Sequence, residues 1–221
     1  MVGLVGGTVA DVYTGTWVRA NVEIDAGRIT YVGPREPSTG ERIDVSGKIV
    51  VPGYIEPHTH PWCLYSPSSL LEVAVPDGTT TLVYDNLFFY LAHGVEGLRS
   101  IVDQMRDVPA HVYWVARLAP QSAYAEDRFA TDVIAPLMSW PEVLASGEIT
   151  NWSSVAKDPR VQAGIAAAKS AHKRVEGHNA GGSWPGPPPG PRAAARGRGA
   201  GWIGAASSTS RAAAAAAPPR R

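Results

Sequence analysis

Two histidines separated by one residue, His58 and His60, have the types and spacing of a metal-binding pair. They follow an apolar stretch, residues 49–55, that predicts a buried strand. Because side chains alternate faces along a strand, both imidazoles would lie on one face, with Cα atoms roughly 6–7 Å apart. Such a pair can bind one divalent ion, with Zn–N distances of about 2.0–2.1 Å. Two partly exposed loop histidines are the alternative for so short a motif.

Two further residues lie in predicted strands and could join this pair. Glu148 begins a short predicted strand, residues 148–151, and His178 ends another, residues 174–178. If these strands belong to one barrel, their carboxyl ends meet and the side chains share one pocket. Three histidines and a bridging carboxylate suit a pair of divalent ions. Taken alone, Glu148 is more typical of a solvated surface acid, and His178 could be a turn residue.

The chain after the histidine pair alternates strand and helix signals, which would position such a site. Residues 79–85 and 111–116 are rich in β-branched or aromatic residues and predict strands. Apolar residues at helical spacing predict a helix over 95–105. Residues 139–142 match a capping box, and residues 158–159 indicate a second helix start. This alternation predicts parallel strands with right-handed crossovers, in a barrel or an open sheet.

The first 52 residues predict a small β subdomain without catalytic groups. Within it, Ile24 and Ile29 flank a turn that contains Asp25 and Gly27, which predicts a tight hairpin. The fold class is therefore α/β, with this β subdomain over 1–52 and an alternating β/α unit, a partial (β/α) barrel or an open sheet, over 53–182.

The last segment, residues 183–221, predicts a disordered tail. It is rich in Pro, Ala, Arg and Gly and contains neither His nor Asp. Such a composition buries too little apolar surface to offset the entropy of the chain. These residue types belong to GC-rich codons, so we hypothesise a shifted reading frame after about residue 182.

Composition narrows the functional classes. All 20 acidic residues precede residue 183, and the acidic body gives no reason to expect nucleic acid binding. No stretch predicts a signal peptide or a membrane span. The single cysteine, Cys63, fits a reducing compartment and is expected to be a small buried apolar residue. We therefore expect a cytoplasmic protein.

Residues 1–182 resemble the N-terminal portion of the adenine deaminase branch of the amidohydrolase superfamily. The resemblance lies in six stretches that occur in the family's order: residues 10–15, 27–29, 52–60, 78–81, 147–151 and 176–178. It implies a TIM-type metal-dependent hydrolase barrel that follows a small β subdomain.

The resemblance also implies a reaction and a site. The reaction would be hydrolytic deamination of adenine to hypoxanthine and ammonia, on a small purine-like substrate. Two divalent ions, manganese or iron with zinc as a further option, would be held by four ligands: His58, His60, Glu148 and His178. Asp85 and Asn86 are candidate substrate-binding residues, with a turn or a helix cap as the alternative. Neither nucleic acid nor membrane is an expected partner, and a homo-oligomer fits the full-length family.

Departures from the family pattern leave alternatives open. Glu56 stands where aspartate is commoner, and residues 61–65 diverge. The histidine and catalytic aspartate that the family places on later strands have no counterpart after residue 182, so no catalytic residue is assigned and we expect little or no deaminase activity. One alternative is a cyclic amide hydrolase of the same superfamily, which usually carries a carboxylated lysine where Glu148 stands. The other is a non-enzymatic fragment.

Overall fold

The chain divides into two compact units, Met1–Gly53 and a second unit that begins at Tyr54. A computed structural model describes residues 1–38, 40–118, 128–149 and 158–177. The predicted tail, residues 183–221, lies outside the described residues, as do His178 and the end of the predicted strand 148–151. Among the described residues, no helix is long and apolar enough to cross a membrane.

The first unit is a five-stranded mixed sheet. Its strands are β1 (Val2–Asp11), β2 (Thr16–Asp25), β3 (Arg28–Gly33), β4 (Glu41–Asp44) and β5 (Ile49–Val50). The order is β3-β2-β1-β4, with β5 also pairing with β1. The first three strands are antiparallel neighbours, whereas β4 and β5 run parallel to β1.

The tight hairpin predicted around Asp25 and Gly27 is confirmed. Asp25 pairs with Arg28, and a two-residue turn of Ala26 and Gly27 connects β2 to β3. Both turn residues have positive φ, 47° and 73°, as a type I′ turn requires. The right-handed twist of the paired strands favours this turn type.

The second unit alternates strands and helices. Its described elements are β6 (Tyr54–Thr59), α1 (Pro67–Ala74), β7 (Thr79–Asp85), α2 (Leu87–Gln104), β8 (His111–Ala116), α3 (Thr131–Leu137), β9 (Val143–Ser146) and α4 (Pro159–Ser170). Strands β6, β7, β8 and β9 form a parallel sheet in sequence order. Beyond β9, Arg174 and Gly177 form isolated parallel bridges with Ala145 and Ile149. The α/β class predicted from the sequence is confirmed.

Both faces of the central strands β7 and β8 are buried. Leu82, Tyr84 and Trp114 point to one face and join the large core with helices α1 to α4. The alternate residues Val83 and Val115 point to the other face and join a smaller cluster. Strands covered on both sides carry continuous apolar sequence, as β7 and β8 do. The carboxyl ends of the strands are therefore the places where polar side chains emerge.

The predicted start of helix α4 is confirmed. Asp158 caps α4, because its carboxylate accepts a hydrogen bond from the Arg160 N–H at 2.9 Å, with Pro159 in the first turn. Helix α2 contains the predicted helix 95–105 but begins earlier, at Leu87, and breaks at Gly94, where φ is 66°.

The capping box predicted at residues 139–142 does not start a helix. Strand β9 begins at Val143 instead. The Glu142 carboxylate accepts hydrogen bonds from Arg99, at 3.1 Å, and from Arg106, at 2.6 Å. Long-range ion pairs therefore override the local capping signal. Strand β9 ends at Ser146, before the strand predicted at 148–151, and the last two residues of that prediction lie outside the described residues.

Candidate metal centre

The end of strand β6 brings the two histidines together. His58 and His60 lie two residues apart on the same face, and their Nε2 atoms are 2.9 Å apart. The ring centroids are 4.9 Å apart, with an interplanar angle of 73°. The pairing expected from strand alternation is therefore present. Two nitrogen donors directed at one point are the first half of a metal site.

Glu148 contributes an oxygen to the same point. It lies two residues beyond the end of β9. Its Oε1 atom is 3.0 Å from His58 Nε2 and 3.6 Å from His60 Nε2. The sequence placed Glu148 at the start of a strand, but the structure places it just after one. The carboxyl ends of parallel strands share one edge, so the side chain still reaches the histidines.

Asp85 ends strand β7 and completes the cluster. Its carboxylate is fully buried, and Oδ2 lies 3.9 Å from His60 Nε2. The other oxygen, Oδ1, accepts the Leu87 N–H at 2.8 Å. Ligand atoms from four residues lie within 4.8 Å of one another: His58, His60, Asp85 and Glu148.

Arg117, which follows strand β8 directly, links the two carboxylates and was not anticipated from the sequence. Its Nε donates to Asp85 Oδ2 at 2.5 Å, and its Nη2 donates to Glu148 Oε2 at 2.6 Å. Its Nη1 donates to the Glu148 carbonyl at 3.1 Å. The side chain is 1% exposed. One guanidinium therefore ties the ends of β7 and β8 to the segment after β9.

Asn86, the second candidate substrate-binding residue, is also buried. Its Oδ1 accepts the backbone N–H of Arg117 at 3.0 Å. Asn86 and Asp85 thus both contact Arg117 within the described residues. Their role towards a substrate stays a prediction, and the contacts observed here give both residues a part in orienting Arg117.

Gly147 allows this close approach. Its N–H donates to the Ala116 carbonyl. A Cβ atom at position 147 would lie 3.0 Å from both the backbone N and the Cδ of Arg117. A side chain there would crowd the segment that carries the guanidinium. The glycine therefore fits the short distance between the ends of β8 and β9.

The electrostatics favour metal ligation. Burial lowers the pKa of His60, although the Asp85 and Glu148 carboxylates oppose the shift. A lowered pKa favours the neutral imidazole, which is the form that binds metals. Burial raises the pKa of Asp85, and the adjoining Arg117 guanidinium opposes that shift.

A pocket of about 410 Å³ opens beside the histidines. Its lining residues are His58, Thr59, His60, Cys63, Leu64, Tyr65 and Leu70. Cys63 is exposed, so the expectation that it is buried was wrong. Trp62 stacks on the His60 ring, with centroids 4.9 Å apart and an interplanar angle of 12°. The histidine pair is thus held by an aromatic ring beside a space that could take a small molecule.

The donor set fits a divalent ion. Ligand atoms that bind one ion with bonds of about 2.1 Å lie about 3.0–3.4 Å apart, depending on the bond angle. The separations among His58 Nε2, His60 Nε2 and Glu148 Oε1 are 2.9, 3.0 and 3.6 Å. Two imidazoles and a carboxylate suit zinc, iron or manganese. This cluster could therefore hold a metal ion, whereas His178, the fourth predicted ligand, lies outside the described residues.

Comparisons of the whole structure define the class of fold. D-hydantoinase from Bacillus sp. AR9 matches with a TM-score of 0.59 and 20% identity, over 80% of this chain and 40% of that one. The crystal structure of an adenine deaminase matches with a TM-score of 0.57 and 12% identity, over 80% and 50%. N-acyl-D-glutamate deacylase from Bordetella bronchiseptica, complexed with zinc, matches with a TM-score of 0.58 and 19% identity, over 80% and 44%. The chain has an amidohydrolase-type fold.

Sequence comparison relates the chain to a smaller group of proteins than the fold does. A protein of Oceanobacillus iheyensis named "Putative adenine deaminase" is 37% identical over 182 residues, which is 80% of this chain and 31% of that protein. Adenine deaminase 2 of Rhizobium meliloti is 35% identical over 181 residues, 78% of this chain and 30% of that protein. No family model matches. The chain is a homologue of proteins named as adenine deaminases, and it spans about a third of their length.

Proposed function

We propose that this chain supplies the metal-binding part of a hydrolase that deaminates adenine to hypoxanthine and ammonia, with water as the second reactant. The observation that carries the proposal is the convergence of His58, His60 and Glu148 within 3.6 Å at one edge of a parallel sheet. The names of the sequence relatives support adenine as the substrate. Manganese or iron is the proposed metal.

The chain's own residues have defined parts in this proposal. The neutral imidazoles of His58 and His60 and the Oε1 atom of Glu148 would hold the ion, and His178 is proposed as a further ligand. A divalent ion bound there would activate water towards nucleophilic attack at neutral pH. The pocket beside His58 and His60 would admit a small planar base, because it is open next to the ligand atoms.

The first test concerns the site itself. The metal-free chain is titrated with Mn²⁺ by calorimetry, and His58→Ala and Glu148→Gln are titrated in parallel. Glu72→Gln, on the exposed surface of α1, is the matched control. We expect stoichiometric binding by the parent chain and by the control, and loss of binding in the two site variants. Equal binding by all four proteins would refute this ligand set, and no stoichiometric binding by the parent chain would favour a non-enzymatic fragment.

The second test concerns the reaction. Because the chain matches about 30% of Adenine deaminase 2 of Rhizobium meliloti, a chimera can replace that part of the relative with this chain. We expect the chimera to release ammonia from adenine, and Glu148→Gln in the chimera to abolish the release. The 221-residue chain alone is assayed beside it and is expected to show little or no activity. A folded, metal-loaded chimera without activity on adenine would refute the proposed substrate.

A cyclic amide hydrolase is the second candidate. The structural likeness to D-hydantoinase fits it, although that likeness concerns the fold alone. Such enzymes usually use a carboxylated lysine where this chain has Glu148, and this difference favours the deaminase. Assays of the chimera with hydantoin and dihydrouracil discriminate the two, since ring opening of either would favour the second candidate.

A further inference from the structure

Trp62 covers one face of the His60 imidazole. The two rings are nearly parallel, with centroids 4.9 Å apart and an interplanar angle of 12°. Because this distance exceeds the contact distance of carbon atoms, about 3.5–4.0 Å, the stack is offset, as aromatic pairs prefer. The His60 side chain is 36% exposed and that of His58 is 16% exposed. The indole therefore restrains the less enclosed of the two imidazoles.

Trp62 is itself held by the first turn of helix α2. Its ring meets Phe88 and Phe89 edge-to-face, with centroids 5.4 Å and 5.8 Å away. Phe89 in turn contacts Trp114 on β8, at 5.9 Å, and Trp114 is 1% exposed. A continuous series of rings thus connects His60 to the core of the second unit. Because Trp62 is anchored in this way, rotation of the imidazole would break the stack rather than carry the indole with it.

The orientation of the His60 ring decides whether it can act as a ligand. The lone pair of Nε2 lies in the plane of the imidazole, and Nε2 lies to one side of the Cβ–Cγ bond. A rotation about that bond would therefore move Nε2 away from the two atoms that it faces, His58 Nε2 at 2.9 Å and Glu148 Oε1 at 3.6 Å. The stack on Trp62 opposes this rotation, and contacts that fix the ring of a ligand tune the affinity for the metal.

The stack is expected to be stronger when a cation is bound. Ligation withdraws electron density from an imidazole, and an electron-poor ring is attracted to the electron-rich face of indole. A contact that is stronger in the metal-bound protein raises the affinity for the metal, whereas a contact of equal strength in both states changes stability alone. Metal affinity therefore separates a positioning role from packing.

We infer that Trp62 is a positioning residue, which holds the His60 imidazole in the orientation that ligates a divalent ion. The inference rests on the proposed metal-dependent function and concerns one ligand, so it is the same for one bound ion or two. It gives a role to part of the divergent segment 61–65, and Trp62 acts on the ion only through His60.

Trp62→Leu removes the stack, and Trp140→Leu is the matched control. Trp140 packs against the same core but lies under the Arg99 guanidinium, at 4.4 Å, instead of an imidazole. The metal-free proteins are titrated with Mn²⁺ by calorimetry. We expect the dissociation constant of Trp62→Leu to rise about tenfold, as for mild changes to the partners of metal ligands, and that of Trp140→Leu to match the parent chain. Trp62→Phe keeps an aromatic ring and should stay within about threefold of the parent chain.

Equal dissociation constants for folded Trp62→Leu and the parent chain would refute the inference, and so would an equal rise in Trp62→Leu and Trp140→Leu. If Trp62→Leu does not fold, proton NMR of the metal-free parent chain decides. A stacked indole shifts the ring protons of His60 upfield, and the signals lost in His60→Gln identify them. Ring protons of His60 at ordinary positions would show that the stack is absent in solution and would overturn the inference.

These outcomes are separable from those of the proposed function. No stoichiometric Mn²⁺ binding by the parent chain would refute the metal centre and this inference with it. A chimera inactive on adenine, together with weakened Mn²⁺ binding in Trp62→Leu, would refute the substrate and leave the inference standing. An active chimera with unchanged binding in Trp62→Leu would do the reverse.

Discussion

The two ends of strand β9 carry ion networks of similar chemistry and opposite exposure. Before β9, Glu142 pairs with Arg99 and Arg106, and Asp103 pairs with the same two arginines. After β9, Glu148 and Asp85 share the single guanidinium of Arg117. The Arg106 side chain is 55% exposed, whereas that of Arg117 is 1% exposed.

The two networks differ in net charge as well as in burial. The outer network has equal numbers of arginines and acids, so it is neutral and serves to join α2 to the start of β9. The inner network has one acid in excess, and that excess faces two imidazoles. A buried surplus of negative charge is expensive unless a cation compensates it. This surplus would therefore suit a bound cation, whereas the neutral outer network would not.

The largest expected effect is a loss of stability that differs between the two networks. Arg117→Ala would leave two carboxylates without their buried partner and should lower the free energy of unfolding by about 3–5 kcal/mol. Arg106→Ala, in the exposed network, should lower it by less than about 1 kcal/mol. Urea denaturation of the metal-free variants measures both. Similar losses would show that burial does not set the energetic difference between the networks.

A second change tests Glu176, whose partly buried carboxylate lies in the same unit. Burial raises the pKa of Glu176 to about 7, opposed by His58 and Arg174. Because the pKa is higher in the folded state, the stabilisation is complete below pH 4.5 and is lost as the pH rises through 7. Between these limits, the parent chain should lose about 3 kcal/mol relative to Glu176→Gln.

Denaturation of metal-free protein across this pH range measures the effect, with Glu72→Gln as the control. Parallel profiles for the parent chain and Glu176→Gln would contradict the raised pKa.

The outer network can be weakened at its centre. Glu142→Ala removes the acceptor shared by Arg99 and Arg106 and should lower the free energy of unfolding by about 2 kcal/mol, because hydrogen bonds to charged groups are the stronger ones. Thermal unfolding at low and high salt measures the loss. The difference between variant and parent should shrink at high salt, and a salt-independent difference would indicate a packing effect instead.

The smallest expected effect on the free energy of unfolding comes from a residue that belongs to neither ion network. His172 follows helix α4 with a φ of 56°, where its N–H bonds the Lys169 carbonyl and the Lys173 N–H bonds the Ala168 carbonyl. This Schellman arrangement favours glycine at the left-handed position. His172→Gly should therefore raise the free energy of unfolding by about 1 kcal/mol. A loss of stability would show that the imidazole makes a compensating contact.

Local sequence was sufficient for part of the site. Strand alternation gave the shared face of His58 and His60, and the alternation of strands and helices gave the parallel sheet whose edge they occupy. Asp85, at the end of the predicted strand 79–85, was named as a candidate substrate-binding residue. Arg117 directly follows β8, but a lone arginine carries no spacing motif.

Other features depend on contacts between distant residues and could not be predicted from local pattern. The capping box at 139–142 failed because Glu142 pairs with Arg99 and Arg106, 43 and 36 residues away. Glu148 was predicted to begin a strand, whereas β9 ends at Ser146 and Glu148 follows it.

Gly147 also has an evolutionary consequence. Any residue with a side chain at this position would press on the backbone N and the Cδ of Arg117, so the substitution would displace this arginine without contacting a bound substrate. A codon-randomised library at position 147 of the chimera, selected for release of ammonia from adenine, should thus return mainly glycine. Recovery of glycine at position 147 would then show how little displacement of the Arg117 guanidinium is tolerated.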